Sequence, residues 1–257
     1  MPSVTFLEIT TMRKTVLATA LVAATALPGL ASAQAASPVT GNLSIVTDYR
    51  FRGISQTFAQ PAIQGGIDYT HSSGFYLGNW DSNVSGLFYT DGSLEMDFYG
   101  GYRFNAGPLG MDVGLLQYYY PNAKITGGTK YDTLEAYVAA SWKWLTAKYS
   151  ITTGDFFGAN NTTSTSCTGS DSKGSGYFDL SASYEIAPKL TLVGHYGNQS
   201  IKDCKPLEYS DYKVGINYDM NGWVLGAAYI DTDADSSLYT LTDGSGKMKD
   251  IGKSTVV

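Results

Sequence analysis

Leu94-Glu95-Met96-Asp97-Phe98-Tyr99-Gly100-Gly101-Tyr102-Arg103-Phe104 decides the fold class. Leu94, Met96, Phe98, Tyr102 and Phe104 hold the even positions, while Glu95, Asp97, Tyr99 and Arg103 hold odd ones. Successive strand side chains point to opposite faces, so one face of this run is apolar and the other charged. A helical period does not produce that pattern. Asn105-Ala106-Gly107-Pro108 follows, a turn in which Asn and Gly tolerate positive φ and Pro fixes it. The next run sets Met111, Val113 and Leu115 against Asp112.

The same unit recurs in both directions. Leu43, Ile45, Tyr49 and Phe51 oppose Asp48, Arg50 and Arg52; Ile63, Ile67 and Tyr69 oppose Gln64 and Asp68. Leu134, Ala136 and Val138 face away from Glu135 and Tyr137, and Ala147, Tyr149 and Ile151 from Lys148. Phe178, Leu180 and Ala182 oppose Asp179 and Ser181; Leu190, Leu192 and Tyr196 oppose His195; Val214 and Ile216 oppose Asp211 and Lys213. Tight turns at 71–74, 105–108, 141–144, 187–189 and 219–222 alternate with longer polar stretches at 55–61, 85–93, 121–130, 154–176, 201–207 and 231–247. Eleven such connections imply twelve strands, with both termini on the short-turn side. Runs near ten residues suit strands that cross a membrane at a tilt, whereas sandwich strands average about five or six. A soluble β-sandwich is the competing reading, but its loops have no reason to alternate short and long. Aromatics near the strand ends (Tyr49, Phe51, Tyr69, Phe75, Tyr76, Trp80, Phe104, Tyr119, Trp142, Trp144, Tyr184, Tyr218, Trp223 and Tyr229) are expected to form interfacial girdles. The expected fold is therefore all-β, a transmembrane antiparallel up-and-down barrel.

Composition agrees with a barrel without deciding it. Charged residues make up 16%, against about 25% in an ordinary soluble domain. A net charge of −6 argues against a nucleic-acid partner. At the N-terminus, Arg13 and Lys14, the apolar run Val16 to Leu27 and Ala31-Ser32-Ala33 have the order of a signal peptide. The start is expected at Met12, with Met1 to Thr11 as an upstream extension and cleavage after Ala33. Residues 1–33 are then leader and 34–257 a single barrel domain of net charge −7, since Arg13, Lys14 and Glu8 are lost.

The stretch Ser44-Ile45-Val46-Thr47-Asp48-Tyr49-Arg50-Phe51-Arg52-Gly53-Ile54-Ser55-Gln56-Thr57 resembles the opening strand of the TorF family of porins. Pro61 to Tyr69, His71 to Tyr76 and Trp80-Asp81-Ser82-Asn83-Val84 extend the likeness. The resemblance implies a Gram-negative outer-membrane barrel assigned to transport, with no catalytic residues to carry over. It also leads one to expect a terminal aromatic residue, whereas the sequence stops at Lys253-Ser254-Thr255-Val256-Val257. The closing strand is expected to be incomplete.

By alternation the lumen is lined by Asp48, Arg50, Arg52, Gln64, Asp68, Glu95, Asp97, Arg103, Asp112, Glu135, Lys148, Asp179 and Lys213. Two readings of this set stay open: a charged pore lining, or ion pairs that plug the lumen. Inward Tyr99, Tyr118, Tyr120, Tyr137 and Tyr177 would narrow it further. His195 is expected to be a satisfied lumen histidine and His71 to lie in a short turn, so no nucleophile–base pair suggests an enzyme. No metal-ligand spacing stands out and no cofactor is expected; Asp231, Asp233 and Asp235 read as a solvated acidic loop, with weak Ca²⁺ binding as the alternative. Cys167 and Cys204, the only cysteines, fall in the fourth and fifth long stretches, which open to one side. An export route through an oxidising compartment leads us to expect a disulfide between them. The expected function is passive diffusion of small polar solutes or ions, weakly favouring cations. Outer-membrane lipid and the barrel-assembly machinery are the expected partners, and the periplasm the site of both termini. A structural, adhesive or ligand-recognition barrel is the alternative.

Overall fold

The structure, a computed structural model, describes residues 37–125 and 127–257. The expected leader, with its start at Met12 and cleavage after Ala33, lies outside the described residues. The first strand, β1 (Val39–Val46), is followed by a two-stranded hairpin of β2 (Arg50–Phe51) and β3 (Ile54–Ser55). Then come β4 (Ala62–Thr70), β5 (Phe75–Asn83), β6 (Leu94–Ala106), β7 (Leu109–Tyr119), β8 (Thr133–Trp142) and β9 (Leu145–Thr152). They continue with β10 (Gly176–Ala187), β11 (Leu190–Ser200), β12 (Tyr209–Asp219) and β13 (Val224–Thr232). A second small hairpin, β14 (Thr240–Thr242) and β15 (Met248–Asp250), precedes β16 (Thr255–Val256). The main sheet has twelve antiparallel strands in the order β1-β4-β5-β6-β7-β8-β9-β10-β11-β12-β13-β16. Tight turns at one end alternate with long loops at the other, as the turn chemistry predicts.

The sheet rolls up with its polar face inside. Arg52, just beyond β1, reaches Glu135 on β8 and Gln199 on β11. A single curved wall brings those elements together. The outward face carries Leu43 (74% exposed), Ile45 (76%), Ile63 (63%) and Leu225 (64%), while Gln64, Glu95, Glu135 and Asp211 are buried on the inward face. Most of the end-of-strand aromatics project outward, among them Phe75, Trp142, Trp144, Tyr184, Tyr218 and Trp223. Tyr49, Phe51, Tyr76 and Trp80 do not: all four are buried inside. Gly78 and Gly101 face Tyr99 and Tyr76 across the strand pair, and these rings leave no room for a Cβ. The tyrosines thus rest against the wall.

The chain departs from the expected first strand after Val46. Alternation continues through Arg52, but the backbone turns inward. Arg52 and Gly53 both take positive φ, 48° and 79°, and reverse the chain into the β2–β3 hairpin. Asp48 fixes that reversal by accepting from Arg50 Nε at 2.6 Å, Ser55 Oγ at 2.6 Å and Thr57 Oγ1 at 3.0 Å. β1 and β16, the two ends of the sheet, are not paired with each other among the described residues. The inward hairpin meets the far end instead: Ser55 N donates to Ile251 O, and Arg50 Nη1 to the carbonyls of Ile251 and Lys253. β16 itself pairs with β13 through Tyr229–Val256 and Ile230–Thr255.

Candidate functional site in the lumen

At the loop end the lumen is filled by the chain's own residues 48–59, which act as a plug. Arg52 anchors it. Its Nη2 donates to both oxygens of Glu135, at 2.8 and 2.7 Å, and its Nη1 to Gln199 Oε1 at 2.7 Å. The guanidinium lies over the Tyr177 ring, 4.1 Å from its centroid. The Arg52 and Glu135 side chains are only 3% and 2% exposed. Charge-assisted bonds to both carboxylate oxygens help a buried pair to offset desolvation. Around the anchor, Phe51 packs edge-on against Tyr118 and Phe157, and Tyr49 against Trp80.

The long loops bind the plug. Tyr89, in the loop after β5, donates to Gln56 Oε1 at 2.6 Å, and Ser85 N donates to Gln56 O. Tyr89 also stacks on Tyr120 at 4.2 Å, and burial pushes its phenol well above the ordinary range. Tyr131 donates to Phe88 O, which ties the next loop to the same cluster. Lys249 Nζ reaches Phe58 O from the β14–β15 hairpin.

The turn-end half has a different lining, of charges in local networks, with the Arg103 and Asp112 side chains 22% and 26% exposed. Arg103 pairs with Asp112 at 3.3 Å and lies over the Tyr76 ring. Tyr76 bonds to Asp112 and to Tyr137, and Lys148 lies over the Tyr137 ring. Tyr99 donates to Asp68 at 2.7 Å. On the opposite wall His195 bridges two carboxylates, Asp179 at 3.1 Å and Asp211 at 2.8 Å, with Tyr177 and Ser181 completing the network. Lys213 pairs in register with His195. Ser181 is within 3.3 Å of His195, but its hydroxyl donates to Asp179 at 2.6 Å. That arrangement holds the histidine between two acids and commits the Ser181 hydroxyl to Asp179.

Of the thirteen residues expected to line the lumen, the structure gathers Arg52 with Glu135, Arg50 with Asp48, and Arg103 with Asp112. Gln64 bonds to Ser82. Asp48, Arg50 and Arg52 belong to the plug, not to strand one. Glu95 and Asp97 are buried without an ion-pair partner among the described residues. The residues missed from sequence are Tyr49, Phe51 and Gln56 of the plug itself, and Trp80 and Gln199, which touch it. Gly53, directly after Arg52, was the one local signal that the strand had ended. Cys167 and Cys204 are joined, with sulfurs 2.01 Å apart, and tie the loop after β9 to the loop after β11.

Among solved structures the chain is similar to the crystal structure of Pseudomonas aeruginosa OccK5 (OpdH), with 15% identity and a TM-score of 0.34. The likeness covers 72% of this chain and 54% of that one, so the chain spans about half the length of the structure it matches. No curated protein matches it in sequence. A family profile matches residues 31–257, nearly the whole chain beyond the leader-like segment, and the chain belongs to that family, a bacterial protein family of unknown function designated Gcw_chp.

Proposed function

We propose that the chain is an outer-membrane barrel that passes small polar solutes or ions through its lumen, with residues 48–59 as an internal gate. The observation that carries this reading is the inversion of ordinary polarity. Large aliphatic side chains project outward while Arg52, Glu95, Asp97, Glu135 and Asp211 are buried. In water that arrangement leaves a broad apolar belt unburied; in lipid it is the stable one. Along the twelve-stranded ladder, backbone groups are satisfied between neighbouring strands, as the hydrocarbon layer requires. The likeness of residues 44–84 to the TorF porins supports the same reading. Export after cleavage at Ala33 and a periplasmic position for the short turns and termini belong to the proposal. The polar lining supports passage of hydrophilic solutes, not an enzymatic role.

Reconstitution into planar bilayers tests it. Discrete conductance steps are the expected result, and a barrel that inserts but stays silent refutes passage. One observation favours a second reading: the plug is knitted into the loops by Tyr89–Gln56 and Ser85–Gln56. A silent barrel would then be a recognition surface built on its outer loops.

A further inference from the structure

Three of the five unsatisfied buried side-chain atoms among the described residues lie together. Among the described residues, the buried side-chain atoms without a hydrogen-bond partner are Ser44 Oγ, Arg52 Nε, Trp80 Nε1, Glu95 Oε2 and Asp97 Oδ1. The last three lie on neighbouring strands, β5 and β6, at the level where Trp80 pairs in register with Asp97 and Ser82 with Glu95. Tyr118 of β7 flanks Asp97 on its other side. Tyr49 of the plug stands edge-on to Trp80, with 5.4 Å between ring centroids, and donates to Glu95 Oε1 at 3.2 Å. Trp80, Glu95 and Asp97 are all at least nine-tenths buried. The plug's own cations are committed elsewhere, Arg50 to Asp48 and Arg52 to Glu135.

Two adjacent buried carboxyl groups without a counter-charge are costly, and the cost is relieved by protons or by a cation. The surroundings distinguish between these. Trp80 and Tyr118, which stay beside Asp97 when Tyr49 leaves, present aromatic rings, whose faces attract cations, Trp best of all. The indole N–H is a lone unpaired donor, but the two unpaired acceptors are the groups that can carry charge, and they set the sign of the ligand. Aromatic faces suit a weakly hydrated organic cation, and this lining directs the choice to the ammonium class.

We propose that this level of the lumen binds an organic monocation of the ammonium class, which replaces the Tyr49 ring against Glu95 and Asp97 and so unseats the plug. The binding site stands on its own residues; its role as a gate rests on the reading of the chain as a solute-passing barrel. The exchange is favourable in kind. The Tyr49 contact with Glu95 is long for an O–H donor, and a cation would substitute a charge-assisted bond, which is shorter and stronger.

The test uses the chain refolded in detergent and titrated with methylammonium chloride, whose N–H groups can donate to the carboxylates, with sodium chloride at matched ionic strength as control. Tryptophan fluorescence is the readout, because Trp80 is buried in the site while Trp142, Trp144 and Trp223 are exposed on the outer face. A saturable response to an ammonium salt and none to sodium is expected. Affinity should fall at least tenfold in Glu95→Gln/Asp97→Asn. It should rise several-fold in Tyr49→Phe, which keeps the ring but no longer competes for Glu95. A wild-type response equal to that of sodium overturns the site, as does unchanged affinity in the carboxamide variant. If that variant does not refold, Tyr49→Phe decides, and affinity no higher than wild type refutes the displacement. Saturable binding by a barrel silent in bilayers would refute the channel and leave the site standing. Conduction without saturable ammonium binding would do the reverse.

Discussion

Arg52 is the most exacting place to perturb the plug. Arg52→Met removes three strong hydrogen bonds, two to Glu135 and one to Gln199, and leaves Glu135 buried without its counter-charge. Breaking a buried ion pair from one side costs about 3–5 kcal/mol. The barrel wall does not contain Arg52, so the cost falls on the seating of the plug and not on the strand ladder. At about 1.4 kcal/mol per decade, the closed-to-open ratio should drop by roughly two to three and a half orders of magnitude. Single-channel recording of the reconstituted protein reads this directly as open fraction. The double variant Arg52→Met/Glu135→Met supplies the control. Replacing both members by apolar side chains removes the stranded charge and should restore most of the closed state. A closed-to-open ratio in Arg52→Met within tenfold of wild type would refute the reasoning, and so would a double variant as open as the single.

Leu180→Arg places a charge on the exposed outward face and should cost about 2–4 kcal/mol in folding into vesicles, with Ser181→Arg on the inward face far milder; equal intolerance at both positions would overturn the register. Reducing the Cys167–Cys204 bond, whose partners are 37 residues apart, should remove roughly 4 kcal/mol by the chain-entropy argument and expose residues 153–175 to protease. Unchanged digestion after reduction would refute that role. Asp243 accepts from Ser245 Oγ at 2.6 Å and from the Lys247 and Ser245 amides, which hold its carboxyl below the usual carboxylate range. A lowered folded-state value means that this support is present above the ordinary carboxylate pKa and is lost as pH falls through the folded one. Amide exchange in the β14–β15 hairpin should therefore accelerate in acid, and a pH-independent protection would count against it.

The strand ladder was legible because alternation and turn chemistry are local. Glu95 to Arg103 and Asp179 to Ser181 declare their inward face within a few residues, and Asn105 to Pro108 declares its turn. The plug was not legible for the same reason. Asp48, Arg50 and Arg52 alternate with Tyr49 and Phe51 whether the segment runs along the wall or folds into the lumen. The difference lies in partners far along the chain, and no local pattern carries them. Trp80 and Tyr76 were read as girdle residues from their nearness to strand ends. Register with Asp97 and Gly101 turns both inward instead. His195 was readable as a lumen residue, but its two acidic partners emerge only when β10, β11 and β12 are laid side by side.

The position of the plug in the chain has a consequence for the order of folding. Arg52 belongs to the first connection of the sheet, yet its anchors lie 83 and 147 residues downstream. Contacts of such sequence separation form late, because loop closure must precede any gain from them. β8 and β11 must be in place before Arg52 has anything to hold. On this argument the wall from β4 to β11 assembles first, and residues 48–59 take their place against it afterwards.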